Sequence, residues 1–323
     1  MRVLYLPINY MQIPQVSMYD AWESNGVELR VFDWIKEFDE AGDPDVFNQH
    51  FVQQVLEYKP DFIFMQLNYI NIPITVKSLQ EVKQSLPNVK IANWTGDIRY
   101  HCDDLAEYSK VIDLPLISST GQLDFYRSHG CDNVKNWQVG FDPKFNYPMG
   151  HTNFTHDVCF TGNNYSGSMY SEASLRVNTV NLLHQEFGNR FCLYGGGFVH
   201  INDGLMCDDR EANKHYNDSL CVFSISNDNS LSDYFSNRLL ICVASGRPTI
   251  SWYFPNIENH FIPDQEILVA HSAEEVVEKV KWCQANPEAA NEIGRNGCKR
   301  AFDNYTYTHR IKQLLEMVNE SHG

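Results

Sequence analysis

Apolar and polar positions follow two rhythms along this chain. Short continuous apolar runs fall at 2–6 (Arg-Val-Leu-Tyr-Leu), 27–32, 61–67, 89–94 and 111–117. Amphipathic stretches lie between them, near 13–24, 45–58, 73–86, 102–110 and 120–129. Continuous apolar strands alternating with helices predict a parallel sheet covered on both faces. The second half repeats the scheme, with strands expected at 157–161, 190–194, 220–225, 247–252 and 266–269. Its helices are expected at 169–187, 208–217, 231–244, 273–285, 288–302 and 306–320.

The stretch Gly140 to Asn153 keeps neither rhythm and carries two prolines and two glycines, the composition of an interdomain linker. The pattern therefore predicts two doubly wound, Rossmann-like α/β domains of similar size. Ligands of such sheets sit at the carboxyl ends of the strands. Two such domains facing one another would enclose a cleft.

With 323 residues the chain is long enough for two sizeable cores. The first apolar run ends in Pro-Ile-Asn-Tyr, which predicts a buried strand and not a cleaved signal. No apolar run reaches the length of a membrane span. Nine dispersed cysteines without metal-site spacing suit reduced thiols in the cytoplasm. A net charge of -16 argues against a surface coated for nucleic acid, though a local basic groove remains open.

Several strand ends carry candidate chemistry. Gly162 and Asn163 follow the first strand of the second half, where backbone can approach a ligand, or simply turn into a helix. Tyr194-Gly195-Gly196-Gly197 follows the next strand, as bare backbone for a base or as a flexible turn. Ser224 to Arg238 is denser. Ser224, Ser226, Asn227, Asn229, Ser230, Ser232 and Asp233 crowd the gap before a helix whose free N–H groups suit a diphosphate. Arg238, placed within that helix, would add charge-assisted bonds.

In the first half, Asp97 ends the fourth strand on a tight turn. There it can deprotonate or orient a hydroxyl, or bond its own backbone. Asn9, Tyr10, Asn68, Tyr69 and Arg99 lie on the neighbouring loops. The histidines show no metal-ligand spacing, and no obligatory metal is expected.

These motifs resemble GT-B glycosyltransferases. The CgeB/YkvP-like group is the nearest in pattern, its C-terminal half being similar to the glycosyl transferases group 1 domain. Trp94-Thr-Gly-Asp97, Val139-Gly-Phe-Asp-Pro143, Phe160-Thr-Gly-Asn-Asn-Tyr165, Leu193-Tyr-Gly195, Ser236-Asn-Arg-Leu239, Ala244-Ser-Gly246 and Tyr307-Thr-His-Arg310 carry the resemblance. It implies an acceptor-side domain at 1–145 and a nucleotide-sugar-binding domain at 146–305. A last helix, 306–323, would cross back to the first domain. It implies a nucleotide-sugar donor, a UDP-sugar first among them, and transfer with retention and without a metal. Gly162 and Asn163 would lie near the diphosphate, and Tyr194 and Gly195 near the base. Asp233, Asn237 and Arg238 would contact phosphate, ribose or sugar.

One position departs from the family pattern: Ile241 stands where relatives carry a second glutamate. The acceptor stays open among a glycan, a protein, a small molecule and a hydroxymethylated base of phage DNA. The last would need a basic groove from Arg99, Lys110, Arg127, Lys135 and Lys144. A non-catalytic sugar-nucleotide binder and an epimerase of the same architecture are the competing readings.

Overall fold

The computed structural model describes residues 1–9, 16–67, 73–98, 105–165, 170, 172–198, 201, 203–204 and 209–320. The chain divides into two compact units, one of residues 1–138 with the stretch from Tyr307 onward, the other Val139–Thr306.

The first unit runs β1 (Arg2–Leu6), α1 (Val16–Ser24), β2 (Glu28–Val31), α2 (Trp34–Ala41), α3 (Pro44–Tyr58), β3 (Phe62–Met65) and α4 (Val76–Ser85). It continues with β4 (Lys90–Thr95), α5 (Leu105–Ser109), β5 (Leu114–Ile117), α6 (Leu123–Ser128) and β6 (Lys135–Asn136). The second unit holds β7 (His156–Thr161), α7 (Ala173–Phe187), β8 (Phe191–Tyr194), α8 (Asp209–Asn217), β9 (Ser219–Ser224) and α9 (Asn237–Ala244). It ends with β10 (Thr249–Trp252), β11 (Leu268–Ala270), α10 (Ala273–Ala285) and α11 (Pro287–Asn304). The last helix, α12 (Tyr307–Glu320), packs on α1 within the first unit. Its backbone is held there by bonds from Trp137 Nε1 to Arg310 O (2.9 Å) and from Asn25 Nδ2 to Thr308 O (3.1 Å).

Both sheets are parallel, in the orders β2-β1-β3-β4-β5-β6 and β11-β10-β9-β7-β8. Numbered from its own first strand, the first unit reads 2-1-3-4-5-6 and the second 2-1-3-4-5, so one topology is used twice with a short sixth strand added in the first. Strands β1 and β3 are buried on both faces, as the apolar runs predicted. Phe47, Phe51 and Val55 of α3 and Leu79 and Val82 of α4 complete that core. Val180 and Leu183 of α7 and Val276 and Val280 of α10 serve the second. Each fully buried large apolar side chain contributes about 1.5–3 kcal/mol relative to exposure.

Strand order reverses between β1 and β3 and again between β7 and β9. Open α/β sheets bind ligands at such switch points, outside the carboxyl ends of the strands.

Three elements differ from the sequence pattern. Helix α2 was not anticipated, although its signals are present: Asp33 caps it by accepting from Lys36 N, and Gly42 closes it at φ 62°. Strand β6 has two residues, too few to make a period. Helix α9 starts at Asn237 and not near residue 231. Asp233 sits at φ 59°, outside right-handed helix, and its N–H donates to Pro255 O at 2.9 Å. Local bonds of this kind compete with helix formation.

Candidate functional site

The second switch point brings together the loops that follow β7, β8 and β9. The first two are laced by backbone. Gly162 N donates to Tyr194 O (2.8 Å) and Asn164 N to Gly196 O (2.9 Å). Gly196 N donates to the Asn163 carboxamide oxygen at 2.8 Å. The approach is so close that a Cβ on Gly195 would stand 1.9 Å from Gly162 O. The glycine run is therefore a packing requirement at Gly195. Gly196 differs, since a Cβ there would meet only Asn163 Oδ1 at 3.4 Å.

Two arginines reach this junction. Arg176, on α7, is 2 % exposed. It donates to Asn163 O (3.0 Å), Ile225 O (3.1 Å) and Asn227 Oδ1 (2.6 Å), tying the β7 and β9 loops together. Its Nε is buried without a partner. Arg238 donates to the same Ile225 carbonyl at 3.0 Å. A Cβ on Gly162 would lie 2.9 Å from its Nη2. The ring of Phe160 lies beneath both guanidiniums, at 6.0 Å from Arg176 and 5.3 Å from Arg238. Among the described residues neither arginine has a carboxylate partner.

Burial, and then the charge of Arg238, push the Arg176 guanidinium down to about 9. It remains protonated at neutral pH, so two positive charges share a mostly buried corner. An anion there would relieve both the desolvation and the repulsion.

Helix α9 begins at the same corner. Its N-cap, Ser236, makes no side-chain capping bond, and the Ser236 hydroxyl is buried without a partner. Leu239 N bonds Ser236 O, which leaves the N–H groups of Asn237 and Arg238 as the open donors of the first turn. Because α9 starts at Asn237 and not near residue 231, Arg238 stands in its first turn and not deeper within the helix.

The other sequence candidates divide. Ser226 is a scaffold: its Oγ accepts from Ser236 N (3.2 Å) and its N–H donates to Asn229 Oδ1 (3.0 Å). Ser230 is exposed, and both its N–H and its hydroxyl bond Asp228 Oδ1. Asp233 is turned to its own scaffold, bonded by Asn256 Nδ2 and by His260 Nε2, each at 3.0 Å. Tyr194 stacks on His215 with centroids 4.0 Å apart and 20° between planes, and Gly204 packs against its edge. Asn237 is exposed at the helix start, and Ile241 is buried one turn on.

In the first unit, Asp97 is exposed on the turn after β4. Asn9, at the end of β1, is buried and donates to Tyr19 OH (3.1 Å) and Asp33 Oδ2 (2.8 Å). Gln66 Oε1 accepts from Tyr5 OH and Ile8 N, both at 3.0 Å, joining the β1 and β3 ends. Tyr10, Asn68, Tyr69 and Arg99 lie outside the described residues.

Arg176 was missed from sequence, as was His260, whereas Asn227 stood in the polar cluster before α9. Arg176 had a readable signal. The buried face of α7 includes Ala173, Arg176, Val180 and Leu183, so an arginine occupies a core phase of the helix. A charge in that phase needs a reason. Among the described residues no group of three or more His, Cys, Asp or Glu could hold a metal ion. Among them, too, no helix is long and apolar enough to cross a membrane.

Comparisons with known proteins agree with this architecture. Residues 176–316 match the family model described as glycosyl transferase-like. No curated protein matches the sequence. Among solved structures, a glycosyltransferase from Rickettsia africae is similar at TM-score 0.67 and 12 % identity, over 99 % of this chain and 98 % of that one. Anabaena HepE in complex with UDP-glucose is similar at TM-score 0.64 and 12 % identity, over 99 % and 100 %. A sucrose-phosphate synthase from Thermosynechococcus elongatus is similar at TM-score 0.66 and 12 % identity, again over 99 % and 100 %. At such identities the likeness is one of fold. The two parallel-sheet, Rossmann-like units are consistent with a GT-B fold.

Proposed function

We propose that this chain is a glycosyltransferase that takes its sugar from a nucleoside diphosphate sugar. The donor diphosphate lies at the β7/β9 switch point, on the N–H groups of Asn237 and Arg238 and the Arg238 guanidinium. Arg176 holds the floor and adds charge. The observation that carries this is the pair of arginines that, among the described residues, have no carboxylate partner, beside an uncapped helix start. That arrangement is suited to a diphosphate. UDP is the nucleotide of choice, a reading supported by the fold relative solved with UDP-glucose.

As the glycosidic bond to the diphosphate breaks, negative charge grows on the leaving oxygen. Fixed N–H dipoles and the two guanidiniums stabilise it. The resemblance supports retention. The acceptor hydroxyl then attacks from the leaving-group side, its oxygen bonds the anomeric carbon, and its proton passes to the departing phosphate oxygen. Asp97 orients that hydroxyl. Because protein cations meet the leaving charge, chelation is expected to leave turnover unchanged. A rate that falls with EDTA and returns with a divalent cation would remove this assignment.

The acceptor is read as a neutral hydroxyl compound, such as a glycan. The first unit, 1–138 with 307–323, has 13 Lys and Arg against 21 Asp and Glu. Except for Lys36 and Lys77, in the first turns of α2 and α4 at the carboxyl edge of the sheet, most of its described cations gather away from that edge. Arg2, Lys90 and Lys135 begin strands, Lys59 and Lys83 end or follow helices, and Arg30 stacks on Tyr58 at the end of α3. In a parallel α/β unit those positions share the amino-terminal edge. A DNA acceptor would need phosphate-binding cations at the opposite edge. Salt separates the two: transfer to a neutral acceptor changes little with ionic strength, whereas transfer to DNA falls steeply.

Asp97→Asn is expected to lower kcat by about 10²-fold while leaving the donor dissociation constant within about twofold. Undiminished turnover would take Asp97 out of the mechanism. Ile241 favours one competing reading, a binder without turnover. Nucleoside diphosphate released only when an acceptor is present decides for transfer.

A further inference from the structure

The segment from Ser226 to Ser236 carries the chain from the end of β9 to the start of α9, and its conformation sets where the helix N-terminus points. One residue in it is unusual. Asp233 is a non-glycine residue in the left-handed region, at φ 59°. Such residues carry a backbone cost and persist where their surroundings fix them. Here the fixing is specific. Its N–H donates to Pro255 O at 2.9 Å. One carboxylate oxygen accepts from Asn256 Nδ2, itself left-handed at φ 72°, and the other from His260 Nε2, both at 3.0 Å.

His260 is anchored in turn. Its ring meets Phe235 edge-on with centroids 4.9 Å apart, and Phe254 and Tyr305 stand near it. Its backbone carbonyl accepts from Tyr305 OH (2.8 Å) and from Arg300 Nε of α11 (3.2 Å). A continuous set of bonds thus runs from α11 through His260 to Asp233, five residues before Arg238.

We propose that His260 is a positioning residue for the donor site. With Asn256 it holds Asp233 in its left-handed conformation, and so fixes the approach of the chain to the α9 N-terminus and Arg238. This rests on the donor-site reading above. It adds that a side chain which need not touch the nucleotide controls its affinity. Asp233 is then the clasp on which His260 acts, and its carboxylate serves the scaffold before any ligand.

The test is calorimetric titration of the full chain with UDP, alongside initial rates in UDP-sugar. His260→Leu removes the bond and is expected to raise the dissociation constant for UDP, and KM for the donor, about tenfold. His260→Gln can still donate to the Asp233 carboxylate and should restore affinity to within about threefold. Asp233→Gly adopts positive φ freely but lacks the clasp, and is expected to behave like His260→Leu. Should His260→Leu fail to fold, exposed Asn256→Ala removes one of the two clasping bonds and is expected to shift affinity in the same direction.

Wild-type affinity in His260→Leu, or in Asp233→Gly, would overturn the proposal, as would a glutamine variant no better than leucine. A wild-type protein that binds no UDP would instead sink the donor-site reading, and this inference with it.

Discussion

Arg238→Ala is expected to weaken binding of UDP by about 2–3 kcal/mol, roughly 30- to 150-fold in dissociation constant. The guanidinium stands in the first turn of α9, with Nη2 beside Gly162 and Nη1 on the Ile225 carbonyl. Removing it takes away a charge-assisted contact to phosphate in a largely desolvated corner, where such contacts are strong. The fold should tolerate the change. The variant loses one bond to a carbonyl, but Arg176 is relieved of a like-charged neighbour. Thermal unfolding is therefore expected to move little while affinity falls. Calorimetry with UDP on both proteins reads the first effect, and a melting curve the second. Equal affinity would remove Arg238 from the donor site.

Gly195→Ala is expected to be the most damaging single-methyl change in the second unit's binding loops. The added carbon would stand 1.9 Å from Gly162 O, backbone against backbone. No side-chain rotation can relieve that. The β7 and β8 loops must part, and the bonds between Gly162, Tyr194, Asn164 and Gly196 go with them. A cost of about 3 kcal/mol or more follows, at the upper end for overpacking. For a unit of this size that corresponds to a fall of roughly 6–12 °C in melting temperature. Gly196→Ala is the internal control. Its nearest neighbour would be Asn163 Oδ1 at 3.4 Å, ordinary contact, and its melting temperature should stay within a few degrees of wild type. Similar melting temperatures for the two variants would mean that the loops do not pack as described.

These two residues show how far the sequence could be read. Both were visible as candidates, Arg238 by its place after a polar cluster and Gly195 by its place at a strand end. The phosphate-binding role of Arg238 was read there; the packing role of Gly195 was not. Whether Gly195 is a flexible turn or a steric necessity depends on which loop lies against it, and that follows from strand order. The apolar runs announced the parallel sheets well, because a strand buried on both faces leaves an unmistakable composition. They could not announce that both units share one strand order.

The start of α9 was misjudged for a related reason. Serines, asparagines and aspartates cap helices, but they also build turns. Asp233 instead turns left-handed and bonds Pro255 and His260, the latter 27 residues away, contacts that no local pattern announces. Arg176 was legible and overlooked: its phase on α7 placed a charge among core positions. The acceptor side is the least legible part, since Asp97 carries a functional role only through its position, and several of its expected neighbours lie outside the described residues.

The central claim is that a nucleoside diphosphate sits on the α9 N-terminus at the β7/β9 switch point. The most direct measurement is a crystal structure of the full chain grown with UDP. The account predicts diphosphate oxygens within hydrogen-bond reach of the Arg238 guanidinium and of the N–H groups of Asn237 and Arg238, with the Arg176 bonds to Asn163, Ile225 and Asn227 intact. Diphosphate bound elsewhere on the molecule, or an empty corner at saturating UDP, would contradict it.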